Sequence, residues 1–255
     1  TELPPGPLGR WDHGTIVDIT LDHGEITSTT VLDLLTGANL IAVQGPLGWE
    51  LLQAREAMLI GPGQYRLRQL LRGQRGTETA MGAAAGSPLV ILDAACQRLP
   101  IPLAPLGQPR TFRAGPASRP LSDGSYTEAL FTPQGIGLRP FAPVHLRARR
   151  DVATGDITLT WTRRSRVPEA DSREGFEVPL GEEVEGYVVT IMAAPAGAVL
   201  RTLNASSSQA TYTAAQQVGD FGAALGPGAS LTVTVRQLSM AVGLGAEARR
   251  AVGVG

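Results

Sequence analysis

Lysine is absent from this chain of 255 residues, and all 22 basic side chains are arginine. Together with abundant Ala, Gly, Pro and Leu, that absence reads as the signature of a GC-rich coding sequence rather than as selection for anion recognition. The 22 basic groups are offset by 23 acidic ones, giving a net charge of −1 and a pI near 6.3. No overall field therefore recruits nucleic acid or an anionic membrane. A single cysteine, Cys96, excludes an intrachain disulfide framework. Its neighbours Leu92, Ala94 and Ala95 make it a candidate buried small residue rather than a nucleophile. No apolar run approaches the ~18 residues a transmembrane helix needs, and no signal peptide is visible. Long helical periodicity is also missing. The chain opens on Thr1 and the linker-like Leu3-Pro-Pro-Gly-Pro7, which reads as the end piece of a longer polypeptide.

What is present is mostly strand. Met58-Leu59-Ile60 is a short apolar strand, and Gly61-Pro62-Gly63 is a turn. Pro62 pre-sets φ at position i+1, and Gly63 can take the positive φ that a type II turn needs at i+2. Tyr65 and Leu67 then alternate with Arg66 and Arg68, as in a half-buried strand. Beyond them, Leu70-Leu-Arg-Gly-Gln-Arg-Gly76 interleaves two arginines with two glycines. The guanidinium forks of Arg72 and Arg75 could cradle a phosphate or sugar phosphate. No nucleotide-binding loop accompanies them. The favoured expectation is a clasp in which both arginines pair with carboxylates of a neighbouring domain or subunit. On that expectation, replacing both by Ala impairs assembly and leaves the isolated chain folded.

Elsewhere, Thr15–Leu21 alternates and is β-branched, and matched Asp-His-Gly turns flank it. Residues 30–37 read as a short helix or a strand. Asn39–Val43, Pro88–Leu92, Thr111–Ala114 and Glu128–Thr132 are further strands, the latter separated by a proline-punctuated stretch (Pro100, Pro102, Pro105, Pro109). Strands spaced by ~10 residues with turn signals between them indicate an all-β assembly. Arg139–Pro143 marks a boundary. Residues 1–139 form one β-rich region, with a break inside it near 80–110, and residues 140–255 form another. In the second, Ile157, Leu159 and Trp161 face inward against Thr158, Thr160 and Thr162. Tyr187, Val189 and Ile191 repeat this, as do Leu231, Val233 and Val235 against Thr232, Thr234 and Arg236. About seven short strands with one inward Trp in ~100 residues describe an immunoglobulin-like sandwich.

Few residues suggest chemistry. His13 and His23, each following Asp, lie at opposite ends of one strand, more than ~20 Å apart at ~3.3 Å per residue. One ion does not bridge them, so no metal site and no cofactor is expected. Arg147, Arg149 and Arg150, and Arg163, Arg164 and Arg166, form two basic groups that Asp151, Asp156, Glu169, Asp171 and Glu174 largely neutralise. Glu182, Glu183 and Glu185 cluster, but in a solvated stretch where nothing raises one pKa for glycoside chemistry. No catalytic residue is assigned. Trp49, beside Gly48, and Tyr126 are the candidates for contact with a ligand such as a glycan.

The order G-P-G-x-Y-x-L-x-x-L-L-R-G-x-R-G-T-E resembles a segment of the phage tail-hub and gene-transfer-agent baseplate "megatron" family. The resemblance continues at Gly37-Ala-Asn39, through Gln53–Glu78, and at Leu138–Ala148, Val178–Glu183 and Ala210–Gln216. The arrangement P-x-x-L-x-A, I-x-L-x-W, Y-x-V-x-I after residue 143 resembles a fibronectin type III domain. It departs at Leu231, where many members carry Tyr. The resemblance implies a virion structural protein of the tail tip, made in the bacterial cytoplasm. Such a protein would be a homotrimer contacting other tail or baseplate proteins and the host envelope, with roles in host attachment and DNA delivery. It implies no enzymatic activity for this segment. The competing reading is a carbohydrate-binding module that recognises a host surface glycan.

Overall fold

The computed structural model describes residues 1–97, 99–104, 106–167, 178–193 and 197–255. The architecture is all-β in class. The first part contains β1 (Val17–Thr20), α1 (Val31–Leu35), β2 (Leu40–Gly45), β3 (Gly48–Gly61), β4 (Gln64–Leu71) and β5 (Leu89–Ile91). The five strands make one antiparallel sheet ordered β1-β4-β3-β2-β5.

The long β3–β4 hairpin turns at Pro62 and Gly63, with Gly61 paired to Gln64 and Gly63 at φ +65°. A Cβ at Gly63 would sit 2.8 Å from the Leu21 carbonyl oxygen, so glycine is required there for space as well as conformation. The apolar tip residues Met58, Leu59 and Ile60 are exposed. Helix α1 is capped by the Thr30 hydroxyl, which accepts from Asp33 N–H. At its far end the buried Gln53 amide donates to the carbonyls of Leu34 and Ala38. Leu3, Val17, Ile41, Leu52, Leu67 and Leu70 belong to the core of this unit.

A separate two-stranded ribbon follows, β6 (Arg110–Ala114) with β7 (Thr127–Phe131). Phe112 and Phe131 meet edge to face on it, with ring centroids 6.2 Å apart.

The second core lies between β8 (Val144–Arg150), β9 (Ile157–Thr162), β10 (Tyr187–Met192), β11 (Val199–Ala205), β12 (Gln209–Tyr212), β13 (Ser230–Ser239), β14 (Gly243–Leu244) and β15 (Ala248–Gly253). One sheet runs β12-β9-β8. The other runs β11-β10-β13, with β14 and β15 both paired to β13. Three strands facing four plus a two-residue extension is the division of a fibronectin III-like sandwich. Ile157, Leu159, Trp161, Tyr187, Val189, Ile191, Leu231, Val233 and Val235 meet in its core, as the alternation requires. Trp161 and Tyr187 stack edge to face with centroids 5.0 Å apart.

Two features depart from the sequence reading. Thr232 and Thr234 are buried, not solvated. Strand β13 is central, so Thr234 has cross-strand neighbours on both sides, Thr190 of β10 and Arg249 of β15, and Thr234 and Thr190 hydrogen-bond to each other across the β10–β13 pair. The helix α2 (Ala214–Phe221) was also not anticipated. The Thr213 hydroxyl accepts from Gln216 N–H, and the Gln216 side chain accepts from Thr213 N–H. From α2, the fully buried Gln217 donates to the carbonyls of Gly155 and Tyr212 and accepts from Leu225 N–H. Asp220 accepts two bonds from Arg201 and one from the Tyr212 hydroxyl.

Candidate functional site

The Arg-Gly-Gln-Arg-Gly turn after β4 is where the two units meet. Arg72 leaves the end of β4 with its side chain turned inward, and none of that side chain is exposed. Its Nε donates to Glu50 Oε1 at 2.6 Å and its Nη2 to Glu50 Oε2 at 2.9 Å, a two-pronged pairing. Nη1 reaches Asp12 Oδ2 at 3.4 Å, and Nη2 also donates to the Pro4 carbonyl at 2.8 Å. The Gly73 N–H adds a bond to Glu50 Oε1 at 3.2 Å.

Each partner is placed by its own backbone. Glu50 lies on β3 in phase with the buried Leu52 and Ala54, so it faces the core. Asp12 exchanges two backbone hydrogen bonds with Leu70. Asp12 Oδ1 accepts from Gly14 and Thr15 N–H. Burial pushes the Asp12 carboxyl up, but the hydrogen bonds from Thr15 and the charge of Arg72 outweigh it, and the net shift is below the ordinary value. Gly6 completes the enclosure, since a Cβ there would lie 2.7 Å from Arg72 Nη1.

The turn then reverses through left-handed residues: Gly73 and Arg75 at φ +55° and Gly76 at φ +82°. A Cβ on Gly76 would stand 2.8 Å from the Phe141 ring. Phe141 lies in the segment leading into β8, and Arg164 lies just beyond β9. The Arg164 guanidinium sits 5.2 Å from the Phe141 centroid and donates to Glu78 Oε1 at 3.2 Å and to the Gly73 carbonyl at 3.4 Å. Ala142 N–H donates to the same Glu78 oxygen at 3.2 Å. Arg164 and Glu78 are both about nine-tenths buried. One carboxylate of the first unit thus holds a side chain and a main-chain N–H of the second.

Residues 1–90 match the family model described as "Rcc01698-like, C-terminal". That is less than half of the chain. No curated protein matches it. Among solved structures, the rat CD45 extracellular region, domains d3-d4, aligns at 12% identity, covering 64% of this chain and 72% of that one, with a TM-score of 0.31. An Fn3-like protein from Clostridium thermocellum aligns at 18% identity over 46% of this chain and 95% of that one, TM-score 0.28. Titin domains A168-A170 align at 13% identity over 85% and 53%, TM-score 0.26. These overlays are too loose to add to the strand order.

The residues singled out from sequence fall as follows. Arg72 does not face a neighbour: Glu50, Asp12 and Pro4 of the same chain enclose it. Arg75 is exposed on the turn. Trp49 is 43% exposed and belongs to β3, opposite Gln44. The Tyr126 ring covers Gly115, and its hydroxyl lies 3.0 Å from the Pro116 carbonyl oxygen and 3.1 Å from that of Arg119, so it shapes its own loop. Cys96 is exposed, not buried. His13 and His23 are both exposed, with Trp11 stacked on His13 at 6.4 Å. The second basic group is neutralised by unexpected partners: Arg163 pairs with Glu185, Arg164 with Glu78, and Arg166 with Glu182. Glu169, Asp171, Glu174 and Pro105 lie outside the described residues. Sequence reasoning passed over Asp12, Glu50, Glu78 and Phe141. For Glu50 a signal existed, a charge in phase with apolar residues on an alternating strand.

Proposed function

We propose that this chain is a structural, non-enzymatic segment of the tail tip of a phage-tail-like particle, in contact with copies of itself and other tail or baseplate proteins. The observation that carries the reading is the stretch 93–132. None of its described residues is buried, yet it exposes Leu99, Ile101, Leu103, Leu121, Leu130 and Phe131. Among its described residues the only strands are β6 and β7, and an isolated two-stranded ribbon is marginal in water. Ordering a backbone costs ~1–2 kcal/mol per residue, and this stretch offsets little of that by burial within its own chain. Exposed apolar surface of this kind marks a protein contact. The clasp supports the same reading, because its buried charges Asp12, Glu50, Arg72, Glu78 and Arg164 pair with one another and so hold shape. The ordered motif strings, which resemble tail-hub and baseplate proteins, support the same reading.

Trypsin tests the reading at Arg110 and Arg113, both exposed. The purified chain is cut there first, while particles that carry it are protected. Equal cleavage rates in the chain and the particle would overturn the proposal. Replacing 93–132 by a short linker should abolish incorporation into particles and leave both apolar cores folded.

A further inference from the structure

The β6–β7 ribbon has two open edges, because among the described residues neither strand pairs with a third. The edges differ in charge. Strand β6 carries Arg110 and Arg113 and no acidic residue, while β7 carries Glu128 and no basic one. Within the ribbon Arg113 lies opposite Glu128, with its Nε 3.3 Å from Glu128 Oε2. The two side chains are 42% and 58% exposed, so each has room for a second partner beyond its strand's open edge. The faces differ as well. Phe112, Ala114, Ala129 and Phe131 lie on one face, and Arg113, Glu128 and Leu130 on the other.

We propose that the acidic edge of this ribbon adds to the basic edge of the same ribbon in a second copy of the chain, β7 against β6, antiparallel, with Glu128 opposite the other copy's Arg113. The inference rests on the assembly reading and names one of its contacts. A second copy fits because its β6 is the strand that β7 already pairs with, equal in length and matched in register. In that register each Glu128 lies between two Arg113 side chains. Pairing like edges would set Arg against Arg or Glu against Glu, which is destabilising. Open strand edges are templates for any extended chain, and opposite charge on the two edges selects one pairing among several. Two copies make a four-stranded sheet, past the three strands that a sheet with an apolar face needs to hold in water. Phe112, Ala129 and Phe131 then continue from one ribbon into the next on one face. The contact is head to tail, so each pair keeps one basic and one acidic open edge, and copies add until the ring closes.

Disulfide trapping on the full chain tests the contact, with Cys96→Ser throughout to remove the exposed native thiol. One preparation carries Thr111→Cys and a second, distinguishable by mass, carries Leu130→Cys. Both sites are exposed, so both variants should fold, and circular dichroism checks that. In the proposed register these two residues face each other between copies, as they do within the ribbon, at a spacing a disulfide spans. Oxidation of the concentrated mixture should give a linked heterodimer, and oxidation of either preparation alone should give little dimer. No heterodimer, or equal dimer in the single preparations, overturns the proposal. Arg113→Glu with Glu128→Arg in the Leu130→Cys preparation keeps an internal ion pair and sets Arg against Arg at the contact. The heterodimer should then fall several-fold, and an unchanged yield overturns the proposal. A ribbon locked by a disulfide between Ala114→Cys and Thr127→Cys, opposite each other on β6 and β7, should still associate in sedimentation. Loss of association there overturns edge addition in favour of strand exchange between copies. If the crosslink fails while particles still protect Arg110 and Arg113 from trypsin, this contact is refuted and the assembly reading stands; if protection is absent too, both fall.

Discussion

Replacing Arg72 by Ala should unfold or severely weaken the first β unit, contrary to what the exposed-clasp expectation required. The Arg72 side chain is 0% exposed and Glu50 is 1% exposed, so truncation leaves a carboxylate in the core without its counter-charge. Three guanidinium contacts disappear with it: the pair to Glu50, the contact with Asp12 and the bond to the Pro4 carbonyl. Removing one partner of a buried ion pair costs about 3–5 kcal/mol. For a chain of this size that corresponds to a fall in Tm of ~6–20 °C, at ~2–4 °C per kcal/mol. Asp12 loses less, because two backbone N–H groups still hold its Oδ1. Arg72→Met combined with Glu50→Leu removes both charges and keeps most of the volume, and it should restore most of the loss. Urea unfolding followed by circular dichroism and tryptophan emission measures both variants. Trp11 and Trp49 report on the first unit and Trp161 on the sandwich. A loss below ~1 kcal/mol for Arg72→Ala would refute the buried-charge reasoning. So would a double variant no more stable than the single one.

Acid should weaken the fold through depressed carboxyls. Asp18 is lowered by the Arg66 hydrogen bond and Asp220 by the Arg201 hydrogen bond, while Asp12 is lowered by Thr15 and Arg72 against the opposing effect of burial. A group whose folded pKa lies below its unfolded value stabilises fully above the unfolded value and loses that contribution as pH falls through the folded one. The thermal midpoint should therefore hold from neutrality to about pH 5 and fall below 3.8, the ordinary value of these groups. Asp220→Asn should remove part of that fall. Gly76→Ala should cost about 1–3 kcal/mol, from left-handed backbone and from the clash with Phe141. Gly86→Ala is the control, because Gly86 shares φ +82° but has nothing within 4 Å of an added Cβ. Equal losses at the two glycines, measured by urea midpoint, would remove the packing part of the explanation.

Alternation made the sandwich legible. The inward sets on β9, β10 and β13 were readable because one face of each strand meets the core, and period two is a local property. The Pro62-Gly63 turn was readable for the same reason. Arg72 was not. Its counter-charges lie 22 and 60 positions away, and local spacing next to glycines looks the same whether a guanidinium points out or in. Cys96 misled in the opposite sense: its apolar neighbours suggest burial, but none of the described residues from 93 to 132 is buried. The short helix α2 escaped periodicity because eight residues span barely two turns. Its capping box, Thr213 with Gln216, was the available sign.

The placement of the buried charges says more than their number. An apolar core tolerates slippage of one packed face over another, because hydrophobic attraction has no direction. A charge that must find one carboxylate at hydrogen-bond distance does not tolerate it. Glu50 fixes Arg72, Arg72 fixes the turn, and the turn presents Glu78 to Arg164 and Ala142. Replacing that chain of contacts by apolar residues could leave stability nearly unchanged, and the register between units would then be free to vary. For the assembly role proposed here, a fixed angle between units has value that stability alone does not measure. The interleaved arginines and glycines serve that geometry: glycine lets the backbone reverse within van der Waals distance of Phe141, and Arg72 anchors the start of the reversal on Glu50.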